Sequence, residues 1–461
     1  MGRKEVRVIR AAFEVTFLGY LAGITAFSRA FSHLHVTVYG VPLFVGELTL
    51  LTLTLLAAAI HLSGRQLFPK LGFVGWALLA ILAAGSVFAV RGLMAGWGLS
   101  ALRHSALVYY CWLFFLTLSY LERVGTSRRI LGALLFGAIA GSLLASVSFF
   151  ASPALVFGHG AAGHTGLFAW MAIFTLLASE SLGVRLLPKP LAVVAILVCT
   201  CAIFFTGYRT LLLVVAASVA AVTLGGTGLK SPPARRLKAS LLAWTALLAA
   251  SILVPRAMLR SPDRFIPDYA PVPQGDALAA VDFRWTSAQY GWSLSAILAS
   301  GMETDQDLVD PTRSISFRSK AWHEALIRIE TSPWIGVGFG PEVLLHPASD
   351  CDTLPSPTSN CGSAHNTYLT LAMRVGLPLT LLLLGVLGAL LVRSARAGRR
   401  TARDSADAFT TVTAATALLS FLVFGLTSLL FESPYMSSIV WVLAGIVAHH
   451  TGPREVSERR A

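Results

Sequence analysis

The sequence predicts an all-α, polytopic membrane protein with about twelve transmembrane helices and one large extracytoplasmic loop. Three observations predict it. The 461 residues are 55% hydrophobic and only 13% charged, with a mean hydropathy of +0.70. The apolar residues recur in blocks of about 20, the helix length that crosses a hydrocarbon core of about 30 Å. The basic residues alternate between successive connections, as the enrichment of Lys and Arg in cytoplasmic loops requires. A soluble chain of this length divides instead into domains of mixed composition.

The apolar blocks run over 11–29, 40–62, 71–90, 101–121, 129–149, 164–183, 189–206, 208–225, 239–256, 367–392, 407–430 and 435–450. The seventh and eighth are short and separated only by Gly207. Together they are too long for one crossing, so they read as two. Segments 1–10, 62–70, 122–129, 184–190, 226–238, 393–403 and 452–461 together carry 23 Lys and Arg. The short loops on the opposite side carry four: Arg29, Arg91, Arg103 and Arg209. Both termini are therefore expected in the cytoplasm. "MGRKEVRVIR" reads as an inside anchor, because no convincing cleavage site follows the first apolar run. The net charge of +13 follows from the loop bias. No basic stripe interleaved with aromatics lies outside these loops, so nucleic acid is not an expected partner; membrane lipid is. Three regions result: 1–256 with the first nine spans, 257–364 as the outer loop or cap, and 365–461 with the last three spans and a cytoplasmic tail.

The outer loop holds 13 acidic and 7 basic residues, the opposite balance to the whole chain. It opens Pro-rich with "SPDRFIPDYAPVPQG". Two amphipathic helices are expected in it, at 287–301 and 314–333. In the second, Trp322, Leu326 and Ile329 share a face, Ser314 or Ser316 caps the start, and Pro333 ends it. Such helices lie on the membrane surface or pack over the bundle.

Cys111, Cys199 and Cys201 fall in spans, where Cys acts as a small apolar residue. Cys351 and Cys361 lie in the outer loop and form either a disulfide in an oxidising compartment or two free thiols. No CxxC or HxxxH spacing points to a metal. "GHGAAGHTG" (158–166) reads as a loop, and "DQD" (305–307) resembles a sugar-transferase metal pair that thirteen loop carboxylates produce readily by chance. "GVGFG" (336–340) reads as a turn, since a dinucleotide cradle needs a preceding strand and a following helix.

Charges at a bilayer edge are costly and often functional. Arg91, Arg103, His104, Arg209, Arg318 and His365 all fall at the outer face. Taken singly, each arginine reads as a side chain snorkelling to headgroups. As a set they oppose the positive-inside bias, and arginine forks bind phosphate bidentately. A phosphate or pyrophosphate on a lipid fits such a face. His365 is then a candidate general base, kept neutral by neighbouring positive charge, or simply a hydrogen-bonding interfacial residue. Asn366 orients it or binds a sugar hydroxyl. Arg374, nine residues on, faces away from His365 and reads as a buried, paired structural charge.

"RSKAWHEALIRIETSPWIGVGFGP" (318–341) followed by "AHNTYLTLAMRVGLP" (364–378) resembles the O-antigen ligase and polymerase superfamily. That family has an Arg-x-x-x-Trp helix, a Pro-x-x-Gly-x-Gly turn and a His-Asn opening a span, in this order. "FFTGYRTLLL" resembles its Ser-Arg turn, with Tyr208 in place of Ser, and Leu379 departs from the small or polar residue of the ligase branch. The resemblance implies a membrane-embedded glycosyltransferase (GT-C-like), inverting and independent of metal or other cofactor. It implies transfer of O-antigen from undecaprenyl pyrophosphate to a sugar hydroxyl of lipid A–core, at the periplasmic face of a Gram-negative inner membrane. Under it His365 is the catalytic base, Arg91, Arg209 and Arg318 bind pyrophosphate with Arg103 behind them, and Asn366 and Tyr208 are further substrate contacts. A polysaccharide polymerase, a protein O-oligosaccharyltransferase and a lipid-linked glycan transporter are the rival expectations.

Overall fold

A computed structural model describes residues 3–38, 41–63, 71–151, 160–206, 210–225, 285–287, 290–292, 311–340, 364–400 and 405–452, with 237, 239 and 241–243. In chain order the described elements are α1 (Arg3–His33), β1 (His35–Val38), β2 (Val41–Phe44), α2 (Val45–Ser63), α3 (Phe73–Met94), α4 (Gly98–Tyr109), α5 (Trp112–Arg123) and α6 (Ser127–Ala151). They continue with α7 (Gly160–Ser181), α8 (Lys189–Thr206), α9 (Thr210–Gly225), β3 (Trp285–Ser287), β4 (Tyr290–Trp292), α10 (Pro311–Thr331), α11 (Thr367–Arg400), α12 (Ser405–Phe424) and α13 (Pro434–Thr451). The protein is a mostly helical membrane protein. Helices stand at the predicted apolar blocks except 239–256, which lies almost wholly outside the described residues. Six of the described helices are long and apolar enough to cross a membrane, or seven if a bent pair counts as one span.

The bent pair corrects the fourth block. It is not one straight helix but α4 and α5, inclined by 42° at Tyr110 and Cys111. Two expectations in the outer loop are also corrected. The start of the 287–301 stretch is extended: β3 and β4 pair antiparallel, with Trp285 opposite Trp292 and Ser287 opposite Tyr290. Aromatic and β-branched residues favour such cross-strand pairs over a helix. The second amphipathic helix begins at Pro311, so Ser314 and Ser316 lie inside it instead of capping it. Proline presets a helical φ and lacks an N–H that the first turn leaves unsatisfied. The buried face is also shifted: Ala321, Ala325 and Ile329 are buried, while Leu326 is 47% exposed.

α13 runs through the middle of the bundle, with Tyr435 to Val447 buried without interruption. A helix apolar on every side belongs in such a place. It packs against α5, α12, α11 and α1. α1 and α6 approach closely because α6 offers glycine there; a Cβ on Gly137 would stand 2.4 Å from the Ala22 carbonyl oxygen. Polar side chains join α2 to α5 and α4: Trp112 Nε1 donates to Thr54 Oγ1 (2.8 Å), Tyr109 donates to Glu47 (2.6 Å), and His61 bonds Ser119 (3.0 Å). Leu51, Leu55, Trp76, Phe136 and Leu381 are each more than half exposed on the outside of the bundle, as lipid-facing residues are.

Candidate functional site

The site is built where α10, the glycine-rich turn and the start of α11 meet. α10 lays its small-residue face, Ala321 and Ala325, with Ile329, against Ala364, Ala372 and Met373. Small residues let the two backbones come close. Trp322 then reaches across and donates from Nε1 to the Ala364 carbonyl at 2.8 Å. The next residue, His365, is half-buried and has φ 46°. It and Ser28 are the non-glycine residues with positive φ among those described. Left-handed backbone is unfavourable for a side chain with a Cβ, and such residues cluster at functional sites.

Asn366 caps α11. Its Oδ1 accepts from the amides of Tyr368 (3.0 Å) and Leu369 (3.2 Å). Thr367 locks the same turn to the α12–α13 connection: its amide donates to the Gly425 carbonyl, and its Oγ1 accepts from Leu430 and Phe431. The backbone on either side of His365 is therefore held, by Trp322 before it and by Asn366 and Thr367 after it.

α11 breaks nine residues further on. Gly376 has φ 80° and Pro378 follows, so the helix changes course. Pro378 has no N–H for the Arg374 carbonyl, and the Leu377 amide turns to Pro333 (2.8 Å) instead of Met373. Two carbonyls inside the helix thus lose their usual donors. The turn supplies them: Val337 donates to Met373 (2.8 Å) and Gly338 to Arg374 (3.0 Å). A Cβ on Gly336 would lie 2.5 Å from both of these carbonyl oxygens, so only glycine admits the contact. The far end of the turn meets the α3–α4 corner. Gly340 donates to His104 Nδ1 at 3.1 Å, and Phe339 packs on Phe88. "GVGFG" is thus a turn, and four of its amides are occupied by protein acceptors: Gly336 donates to Ser332 (2.9 Å), besides the three bonds above.

Arg374 is buried, at 4% exposure, and its guanidinium points to the Gly338 carbonyl at 3.4 Å. It lies within electrostatic reach of Glu432, a half-buried residue on the α12–α13 connection whose Oε2 is shielded from solvent. Burial pushes the Glu432 carboxyl up to about 7; a hydrogen bond with Thr370 and the charge of Arg374 oppose that rise. Arg374 is accordingly a structural charge beneath the turn.

The predicted phosphate-binding residues divide. Arg318 is half-buried on α10, one turn before Trp322 and on the same face. Arg91 is exposed in the last turn of α3, beside Gly92, and Arg103 is exposed on α4, beside His104. The turn brings both elements to α11. Tyr208, Arg209, Cys351, Cys361 and the "DQD" segment lie outside the described residues. His164, of the "GHGAAGHTG" stretch, sits in α7 and bonds Tyr435 at 2.7 Å. Among the described residues no cluster of His, Cys, Asp and Glu could hold a metal. Sequence reasoning missed Glu432 and the bond from Gly340 to His104. An acid between two apolar blocks was a signal for the first; a backbone-to-ring bond across 236 residues leaves none.

Residues 192–384 match the O-antigen ligase family. The matched stretch contains most of α8, then α9, α10, the glycine-rich turn, His365 and the first half of α11. No curated protein matches the chain.

Proposed function

We propose, from the match of residues 192–384 to the O-antigen ligase family, that the chain is an O-antigen ligase of the ligase and polymerase superfamily. It moves O-antigen from undecaprenyl pyrophosphate to a sugar hydroxyl of lipid A–core on the periplasmic face of the inner membrane. The observation that carries the reading is His365. A histidine in left-handed backbone, braced on both sides at the head of a membrane helix, has a fixed position for proton transfer.

The donor sugar already carries a good leaving group, so the protein needs only a base and positive charge. A neutral His365 ring takes the acceptor hydroxyl proton. The acceptor oxygen attacks the anomeric carbon, the bond from that carbon to the bridging phosphate oxygen breaks, and its electron pair leaves with undecaprenyl pyrophosphate. The attack inverts the anomeric centre. Arg91, Arg209 and Arg318, with Arg103 behind them, offset the departing charge. α10 and the turn cover the site and keep water from the sugar.

His365→Ala is expected to abolish transfer in a purified assay while donor binding persists; transfer at the wild-type rate would remove the base assignment. Deletion of the gene separates ligase from polymerase. Unattached O-antigen should accumulate on its lipid carrier, whereas loss of chain length would favour a polymerase.

A further inference from the structure

The glycine-rich turn touches two parts of the molecule that carry charge of opposite use. At one end it is bonded to α11, whose first turn follows His365. At the other it is bonded to α4 through the single side chain of His104. His104 neighbours Arg103, and the same corner carries Arg91 at the end of α3. The contact is close on every side. A Cβ on Gly340, where φ is 115°, would stand 2.4 Å from the Trp97 Cβ, and one on Gly92 would stand 2.4 Å from the Phe339 carbonyl oxygen. These contacts exclude bulk but impose no direction. The Gly340 amide bond is directional, and its acceptor must be the Nδ1 lone pair of a neutral ring with its proton on Nε2.

We infer that His104 is a positioning residue: by accepting the Gly340 amide it sets the basic α3–α4 corner in register with His365 and the helix that follows it. The inference rests on the proposed transfer for its consequence, but the bond itself is independent of it. His104 is not given contact with the reacting atoms. It acts through the turn, on where Arg91 and Arg103 stand relative to the base.

The test uses the full chain in lipid nanodiscs and three variants. In His104→Asn, Oδ1 stands where Nδ1 did and keeps the acceptor. In His104→Gln the amide reaches the Nε2 position instead, and in His104→Leu no acceptor remains. Amide hydrogen exchange over 336–340 is read first. His104→Leu and His104→Gln are expected to speed exchange about tenfold, while His104→Asn stays near wild type. Transfer from a cell-extracted undecaprenyl-pyrophosphate glycan is read second. His104→Leu and His104→Gln should lower kcat roughly 10- to 100-fold and leave KM for the lipid A–core acceptor nearly unchanged, with His104→Asn restoring kcat. Unchanged exchange in His104→Leu, failure of His104→Asn to restore either signal, or faster exchange with full kcat would each overturn the inference. If wild type transfers nothing, the ligase reading falls, and the exchange arm still decides whether His104 pins the turn.

Discussion

At the scale of the residue, His365 and Asn366 do different work although they are adjacent. Asn366 has its side-chain oxygen taken up as the cap of α11, so its first contribution is to stability. Asn366→Ala is expected to cost about 1 kcal/mol, seen as a lowered Tm, with a smaller loss of transfer than His365→Ala shows. Arg318→Lys tests the fork directly. An ammonium matches one phosphate oxygen at a time, so donor KM should rise several-fold while the fold is kept. Unchanged KM and kcat would take Arg318 out of the site. Glu432 makes stability depend on pH. Burial raises its carboxyl from about 4.5 to about 7, so the folded protein keeps a proton that the unfolded chain has lost. Stability from this group is greatest below pH 4.5, declines as pH rises to about 7 and is flat above that. The decline is on the order of 3 kcal/mol. Thermal unfolding across that window should show it, and Glu432→Gln should flatten the profile.

At the scale of the element, α10 and α11 form one unit with the turn between them. Apolar blocks and their flanking charges make the spans legible in sequence, because lipid tolerates little else. The amphipathic spacing around Trp322 and Ile329 likewise exposes α10. The helical angle between Arg374 and His365 carries no information, because His365 precedes α11 in left-handed backbone; burial is what makes Arg374 structural. Other features depend on distant partners. The bend at Tyr110, the shift of the buried face from Leu326 to Ala325, and the His104 bond are decided by what packs opposite. The β3–β4 pair is hidden in the sequence because the amphipathic stretch 287–301 takes in Gly291 and Trp292 and leaves their partners, Thr286 and Trp285, outside it. Gly336→Ala is expected to break the turn. Its methyl would meet two carbonyl oxygens at 2.5 Å in a φ of 64°. Transfer should fall at least as far as in His104→Leu, with protein still inserted in the membrane.

At the scale of the molecule, a central apolar α13 anchors the bundle, and the described candidate residues gather near the start of α11, the end that the proposed function sets at the outer face. That placement suits a reaction on a lipid headgroup better than passage across the bilayer. Reporter fusions at either terminus should report the cytoplasm, as the distribution of Lys and Arg requires. Exhaustive chelation should leave transfer at its full rate; strict dependence on added divalent metal would return "DQD" to the site.

The break in α11 bears on how a bulky substrate arrives. Two carbonyls of that helix rely on amides from the covering turn. Lifting the turn would strand both in a poorly hydrated setting, where each orphaned group costs several kcal/mol. The cover is in effect stitched to the membrane helix along one seam. Under the proposed transfer a polymer-bearing lipid would therefore enter sideways, past the face of α10 that is exposed among the described residues, and the product would leave by the same margin.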